Sequence, residues 1–358
     1  MSTPGRSAAV SSTGDDGGAG DRGAANGGGA RLRGRVLWWV AVGAVGAAGV
    51  GVALGEDGLD GAPEVLAVVG VASVVQLVVV ALLVFGLDLF RARPLALKLL
   101  AFAWGGTVAI WVAQYANTAL LSALTKLGLE SIGATIAAPL NEETTKLLGV
   151  LVVLTLLAPQ RVSALRGVVI GFLVGAGFDV VENAGYAFQA AAEVGAGART
   201  GELVDAAIAS FGDRLTQGFA LHALWTAIAG AGLAFALRGR TADARSAPGR
   251  EHPPQPAPAP ARARPRWRWA VAIGAIALAL VLHGLWDLPE VTASGATQNT
   301  LMGIEYGATI VIFVAIWAVS ARADRRSERP DTRRADRRAD RRAGPPPAIR
   351  PQASPPAA

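Results

Sequence analysis

The sequence contains no cysteine, and only 17% of its 358 residues are charged. The absence of cysteine excludes a thiol nucleophile, a disulfide framework and a zinc site with cysteine ligands. The low charge, together with 52% hydrophobic residues and a mean hydropathy of +0.40, excludes an ordinary soluble domain, whose surface must be polar. The composition therefore predicts an all-α protein that crosses a membrane several times.

Uncharged runs long enough to cross the hydrocarbon core as helices recur along the chain. We predict about eight such spans, at residues 36–54, 65–87, 98–121, 136–158, 167–190, 216–237, 269–288 and 299–320. Together they define a membrane domain over residues 36–320. The Pro- and Arg-rich segment 238–267 is predicted to be a linker inside this domain, because two spans follow it.

Two tails flank the membrane domain. Residues 1–35 are rich in Gly and Ala, and residues 321–358 are rich in Arg and Pro. We expect both tails to be disordered, because neither contains an apolar stripe that could form a core.

Basic residues occur in alternate loops. They precede the first predicted span and follow the second, fourth, sixth and eighth spans, whereas the other loops are acidic or mixed. By the positive-inside rule this pattern places both termini in the cytoplasm. The net charge of +6 is therefore interpreted as a topology signal, and no nucleic-acid partner is predicted.

Ionisable residues interrupt four of the predicted spans. They are Glu142, Glu143 and Lys146 in the stretch PLNEETTKLL, then Asp179 and Glu182, then His222, and finally His283 and Asp287. The predicted topology places all of them at one depth, in the outer half of the bilayer. Because ionisable groups inside a membrane are energetically costly, this coincidence predicts a functional site.

Spacing shows which of these residues share a helix face. Four-residue steps join Glu142 with Lys146, Phe178 with Glu182 and Tyr186, and His283 with Asp287. We expect an ion pair in the first group, and an aspartate that holds the imidazole in one tautomer in the last.

The two membrane histidines, His222 and His283, are predicted zinc ligands. The remaining ligand is predicted to be Glu182 or a member of the Glu142 and Glu143 pair, with Glu143 included in the preferred set, and one position is left for water. A carboxylate beside that water would act as a general base in metal-assisted peptide hydrolysis. Alternatively, the glutamates activate water without metal, and the histidines serve as oxyanion donors.

Four stretches of the sequence, EETTK, FDVVENAGY, HALWTAIAG and HGLWD, resemble the motifs EExxK, FxxxEN, HxxxxxxxG and HxxxD of the PrsW family of intramembrane proteases. The likeness covers roughly residues 95–320 and keeps the family's motif order. The family is related to the CAAX prenyl endopeptidase and bacteriocin-processing membrane proteins. The resemblance implies catalytic roles for Glu142, Glu143, Lys146, Glu182, His222 and His283, supported by Phe178, Asn183, Tyr186 and Asp287.

The resemblance also implies a substrate and a location. The best-known member of the family resembles a site-one protease that cuts a single-pass anti-sigma factor on the outer side of the bacterial membrane. For this chain it therefore implies a membrane-protein or peptide substrate, and a multi-pass position in a bacterial plasma membrane.

Other intramembrane chemistries find less support in the sequence. The zincin motif HExxH is absent, as are the GxGD motif of aspartyl proteases and a rhomboid-like GxSG serine. An alternative outside the protease class is a proton- or ion-coupled transporter, but no second half repeats the pattern around Pro139. Arg214 is interpreted as a residue that sits at the membrane interface.

Overall fold

The computed structural model describes residues 63–86, 95–157, 162–195, 197–238 and 266–328. Over these ranges the chain forms helices and short connections. The helices are α1 (Pro63–Ala81), α2 (Leu95–Trp104), α3 (Ile110–Lys126), α4 (Glu130–Val152), α5 (Ala164–Glu193), α6 (Thr200–Gly218), α7 (Leu221–Leu237), α8 (Trp267–Thr292) and α9 (Gly295–Glu328). Wide π-helical turns extend α1 and α4 and join α2 to α3. The prediction of an all-α protein is confirmed.

Within the described ranges, five helical segments are long and apolar enough to cross a membrane. They are Pro63–Val84, Ala96–Lys126, Ala164–Glu193, Trp267–Pro289 and Gly295–Arg326. The helices α6 and α7 form a further candidate span that is bent by 41°. The chain is therefore a multi-pass membrane protein. The predicted span 36–54 lies outside the described residues, so the count of eight and the cytoplasmic termini stay predictions.

The helix α4 overlaps in sequence with the predicted span 136–158, but it is not one of the five apolar segments. It carries Glu142, Glu143 and Lys146 within five residues, all of them buried. Such a helix is stable in hydrocarbon only where protein surrounds its polar groups.

Two helices extend beyond their predicted bounds. The sixth span was expected to begin at residue 216, but α6 begins at Thr200 and packs Ala207 and Phe211 against α1 and α5. The last helix, α9, continues to Glu328, so residues 321–328 of the predicted C-terminal tail are helical. The remainder of both tails and most of the linker lie outside the described residues.

The helix α5 forms the centre of the bundle, and glycines bring α7 unusually close to it. Gly167, Gly171 and Gly175 lie at four-residue steps. A Cβ atom at these positions would lie 2.1, 2.3 and 2.2 Å from the backbone oxygens of Gly230, Thr226 and His222, respectively. Small residues of this kind allow helix backbones to pack closely in lipid, where helices must satisfy their own backbone groups. The contact at Gly175 fixes the start of α7 beside the middle of α5.

Candidate active site

The structure brings together the ionisable residues of four helices. Glu142 lies 12 residues after the start of α4, Glu182 lies 11 residues before the end of α5, and His283 lies nine residues before the end of α8. A helical rise of about 1.5 Å per residue places all three roughly 14 to 18 Å from those helix ends. His222, the second residue of α7, lies among them.

Lys146 lies at the centre of this cluster and is fully buried. Its Nζ atom lies 2.7 Å from Oε1 of Glu143, 2.7 Å from Nδ1 of His222 and 3.6 Å from Oε2 of Glu142. The ring of Phe178 lies below the ammonium group, with its centroid 4.2 Å from Nζ. The predicted pair of Glu142 and Lys146 is thus present, but the closer acid is Glu143. On a helix, residues three and four apart are both neighbours, which explains this outcome.

Each histidine contacts a glutamate through a different ring nitrogen. His222 Nε2 lies 2.8 Å from Oε2 of Glu182, and His283 Nδ1 lies 3.1 Å from Oε1 of Glu143. Since a lysine ammonium can only donate to Nδ1 of His222, the Nε2–H of that ring donates to Glu182. In the same way, an Nδ1–H of His283 that donates to Glu143 leaves its Nε2 with a lone pair.

In the structure, Asp287 is not the carboxylate that lies nearest to the imidazole of His283. Oδ2 of Asp287 lies 3.6 Å from Nε2 of His283, whereas Glu143 contacts Nδ1 at 3.1 Å. The four-residue spacing correctly placed the aspartate beside the ring. The closer carboxylate comes from another helix, however, which a helix-face argument does not consider.

Glu142 and Glu143 have different surroundings although they are adjacent in sequence. Glu143 binds Lys146 and His283 through Oε1, and its Oε2 accepts a 3.3 Å hydrogen bond from Thr226 Oγ1. Glu142 accepts a 3.0 Å hydrogen bond at Oε1 from Asn117 Nδ2. Its buried Oε2 has no hydrogen-bond partner.

This second oxygen of Glu142 faces both imidazoles. It lies 3.8 Å from Nδ1 of His222 and 3.8 Å from Nε2 of His283. A carboxylate oxygen held at this position is available to a water molecule or to a cation.

Among the described residues, three cavities reach the site. A cavity of about 90 Å³ is lined by Glu142, Glu182, His222 and His283, among others. A wider cavity of about 470 Å³ reaches His222 past Arg214 and Trp286, and one of about 280 Å³ reaches Glu142 past Asn117. Tyr186 lines all three cavities, and Glu143 lines none of them. Water can therefore approach Glu142 more directly than Glu143.

Comparison with known protein families identifies the segment that contains most of this site. The family model described as PrsW family intramembrane metalloprotease matches residues 93–250. The chain carries a PrsW-family segment. The resemblance predicted from the motifs is thereby confirmed over these residues, and the family match supports a membrane protease. No curated protein and no solved structure matches it significantly.

The PrsW match includes the first three motifs but ends before His283 and Asp287. The fold supplies this last part of the site. The helix α8 packs against α4 and α7 and carries His283 to within 3.1 Å of Glu143.

The PrsW family description implies a metal, and three residues fit one. Among the described residues, Glu142, His222 and His283 each offer a ligand atom, and these atoms lie within 4.8 Å of one another. Ligands about 2.1 Å from a tetrahedral zinc ion lie about 3.4 Å apart, which is close to the 3.8 Å between Glu142 Oε2 and each ring nitrogen. The predicted ligands Glu143 and Glu182 lie outside this group.

Lys146 has a consequence for metal binding. Its ammonium lies 2.7 Å from Nδ1 of His222, so a metal bound through that atom would replace the contact. At His283, by contrast, the Nδ1 atom bonds Glu143, and the Nε2 atom faces carboxylate oxygens of Glu142 at 3.8 Å and Asp287 at 3.6 Å. Carboxylates commonly orient metal-bound histidines in this way.

Several residues of the site are not among the defined positions of the four motifs, and the sequence alone does not predict their roles. Asn117 binds Glu142 from α3 and accepts a 3.0 Å hydrogen bond from Asn141. Trp225 stacks on the ring of His283 at 4.5 Å, and its Nε1 donates to Thr309 on α9. The spacing of three residues from His222 would have predicted that Trp225 lies on the same face of α7.

Arg214 was interpreted as interfacial, but it contacts the site. It bonds Glu182 and Asn183 and lies over the ring of Tyr186. The signal that could have located it is the helical apolar period of α6, in which Val204, Ala207 and Phe211 recur every three or four residues.

Proposed function

We propose that the protein is an intramembrane endopeptidase that hydrolyses peptide bonds of membrane-associated proteins, with the attacking water bound at Glu142. The observation that carries this proposal is the buried Oε2 atom of Glu142, which has no hydrogen-bond partner within the described part of the chain and faces two histidines across a cavity of about 90 Å³. A water molecule occupies about 30 Å³ in the liquid, so the cavity has room for the reacting water.

The surrounding residues hold Glu142 ready for this role. Asn117 donates a hydrogen bond to Oε1 of Glu142. Oε2 is therefore the atom that accepts a hydrogen bond from water and takes its proton. Glu143 is instead used to hold Lys146 and His283. We therefore assign the base to Glu142 and a positioning role to Glu143.

The proposed metal is zinc, held by Glu142, His222 and His283. When bound there, zinc would supply a Lewis acid that activates water and polarises the scissile carbonyl. Glu143 supports this assignment, because it bonds Nδ1 of His283 and leaves an acceptor nitrogen that suits a metal ligand better than an oxyanion donor. When bound, zinc would take Oε2 of Glu142 as a ligand and would itself activate the water, whereas without metal this oxygen would take the proton.

The proposed substrate is a single-pass membrane protein, such as an anti-sigma factor, cut near the outer face of a bacterial plasma membrane. The charge of the loops supports this side of the membrane, because the helix ends at Glu130, Glu193 and Thr292 adjoin loops that lack clustered basic residues. The cavity of about 470 Å³ beside His222 offers space for an unwound segment of such a substrate.

The test is cleavage of a panel of single-pass membrane substrates by the purified protein in lipid, with bound zinc measured in parallel. Glu142→Gln is expected to abolish cleavage because amide nitrogen and oxygen cannot take the proton from water. Glu130→Gln is the matched control, since Glu130 is an exposed glutamate at the start of the same helix, and this variant is expected to retain full activity.

Two results would contradict the proposal. Full activity in Glu142→Gln would show that Glu142 is not the general base. Intact substrates, together with a proton or ion flux that Glu142→Gln abolishes, would assign the site to transport instead.

A further inference from the structure

The side chain of Arg214 bonds two adjacent residues of the FDVVENAGY stretch. Its Nη2 donates to Oε2 of Glu182, and its Nε donates to Oδ1 of Asn183 over 2.6 Å. The guanidinium carbon also lies 4.2 Å from the ring centroid of Tyr186. Three neighbours on one face of α5 therefore converge on a single arginine from α6.

The contact with Glu182 links Arg214 to a histidine of the site. Oε2 of Glu182 accepts from Arg214 and also lies 2.8 Å from Nε2 of His222. His222 in turn receives the ammonium of Lys146 at Nδ1. One carboxylate oxygen thus joins the arginine to the imidazole.

We propose that Arg214 is a positioning residue, which fixes Glu182 so that this carboxylate holds His222 in its working orientation. An arginine suits this task because its planar fork remains charged and can bind two acceptors in a fixed geometry. Glu182 is only 12% exposed, whereas Arg214 is 26% exposed. The arginine therefore supplies the counter-charge of a buried carboxylate from the edge of the wide cavity that both Arg214 and His222 line.

The break between α6 and α7 makes this arrangement possible. Arg214 and His222 are eight residues apart, and in a straight helix their backbones would be separated by about 12 Å along the axis. In the structure, the chain bends by 41° and Ala220 adopts a left-handed conformation with φ of 63°. Both side chains then reach the same oxygen of Glu182.

Other contacts hold the break in place. Tyr306 on α9 donates a 3.1 Å hydrogen bond to the backbone oxygen of Phe219. Asp179 on α5 accepts a 3.3 Å hydrogen bond from the backbone nitrogen of Ala223. The position of Arg214 is therefore set by packing around the break and not by its own ion pair alone.

The inference rests on the proposed protease function, and its first test is kinetic. Arg214→Ala is expected to lower kcat by about 10- to 100-fold, the usual effect of losing a residue that orients a site group. KM is expected to change less than kcat, since the guanidinium bonds Glu182 although Arg214 also lines the cavity proposed for the substrate. Arg199→Ala is the matched control, because Arg199 begins the same helix but is 86% exposed in an ion pair with Glu202. This control is expected to retain wild-type kcat.

Chemical rescue separates positioning from a general structural effect. The cavity of about 470 Å³ beside Arg214 can admit guanidinium, which is expected to restore part of the kcat of Arg214→Ala and to leave Glu182→Ala inactive. Arg214→Lys is expected to restore activity only in part, because a point charge cannot keep both the Glu182 and the Asn183 contacts.

A spectroscopic measurement does not depend on cleavage. The chain contains three histidines, so the ring-nitrogen signals of ¹⁵N-histidine-labelled protein in lipid can be assigned by removing His222. Arg214→Ala and Arg214→Lys are expected to shift the His222 signals, and Arg199→Ala is expected to leave them in place. Unchanged His222 signals in both Arg214 variants, or wild-type kcat in Arg214→Ala, would overturn the inference. Shifted signals in a protein that cleaves no substrate would retain the positioning role and refute the protease function.

Discussion

A methyl group added at Gly175 tests whether close packing of α5 and α7 positions the site. A Cβ atom there would lie 2.2 Å from the backbone oxygen of His222 and 2.5 Å from Cα of Ala223. Both obstacles are backbone atoms, so no side-chain rotation relieves the clash. A carbon–oxygen contact of about 3.3 Å requires the start of α7 to move by roughly 1 Å.

The magnitude of the effect follows from this displacement. His222 forms contacts of 2.7 Å with Lys146 and 2.8 Å with Glu182, and a shift of its backbone strains or breaks them. A misplacement of about 1 Å in an active site lowers the rate by about 100-fold. Overpacking is expected to lower the free energy of unfolding by about 1–3 kcal/mol. The higher helix propensity of alanine offsets up to about 1 kcal/mol of this loss.

The assay combines cleavage kinetics with thermal unfolding of the lipid-embedded protein. Gly274→Ala on α8 is the control, because a Cβ atom at Gly274 has nothing within 4 Å. This variant is expected to keep wild-type kcat and to gain up to about 1 kcal/mol of stability. Wild-type kcat and Tm in Gly175→Ala would refute the view that backbone contact between these helices positions His222.

Two further predictions concern the environment of the glutamate pair. Lys146→Met leaves buried Glu143 without its cation, so we expect a loss of about 3–5 kcal/mol in unfolding free energy. Adding Glu143→Gln should recover most of the stability but no activity. A double variant that recovers no stability would contradict the ion pair. Asn117→Ala removes the hydrogen bond that holds Glu142, a loss of about 1.4 kcal/mol that should lower kcat by about tenfold. The control Gln114→Ala changes another residue of the same cavity and should leave kcat unchanged. Equal effects of both changes would contradict a specific role for Asn117.

The meeting of the four motifs could be predicted from the sequence because each ionisable group stands out against an apolar helix. His283, for example, directly follows the apolar run AVAIGAIALALVL at residues 270–282. Once the spans and their directions were inferred, a common depth followed from counting residues. The structure agrees, since Glu182 and His283 lie at similar distances from their helix ends.

The pairing of individual groups could not be predicted in the same way. Lys146 has an acid three residues away and another four residues away, and the helix alone does not choose between Glu142 and Glu143. The choice depends on His283 and Asn117, which come from α8 and α3 and draw the two carboxylates in different directions. Such contacts join residues far apart in sequence, and no local pattern reports them.

The first half of the broken span escaped prediction because of its composition. The helix α6 contains Glu202, Asp205, Asp213 and Arg214, too many charges for a simple membrane span. Only a helical period of apolar residues marks its buried face. Arg214 therefore lay just outside the predicted span, although it bonds a residue of the recognised motif.

The break at Ala220 also changes the electrostatics of the site. A continuous helix would carry the positive end of its dipole to the membrane surface, whereas the break places the first turn of α7 inside the bundle, beside Asp179 and Glu182. The end of a helix acts as a partial charge of about +0.5. Because carboxylates outnumber Lys146 and Arg214 in this cluster, the interrupted span supplies positive potential without another basic side chain. It does so at the depth where a negative charge would develop in the proposed peptide hydrolysis.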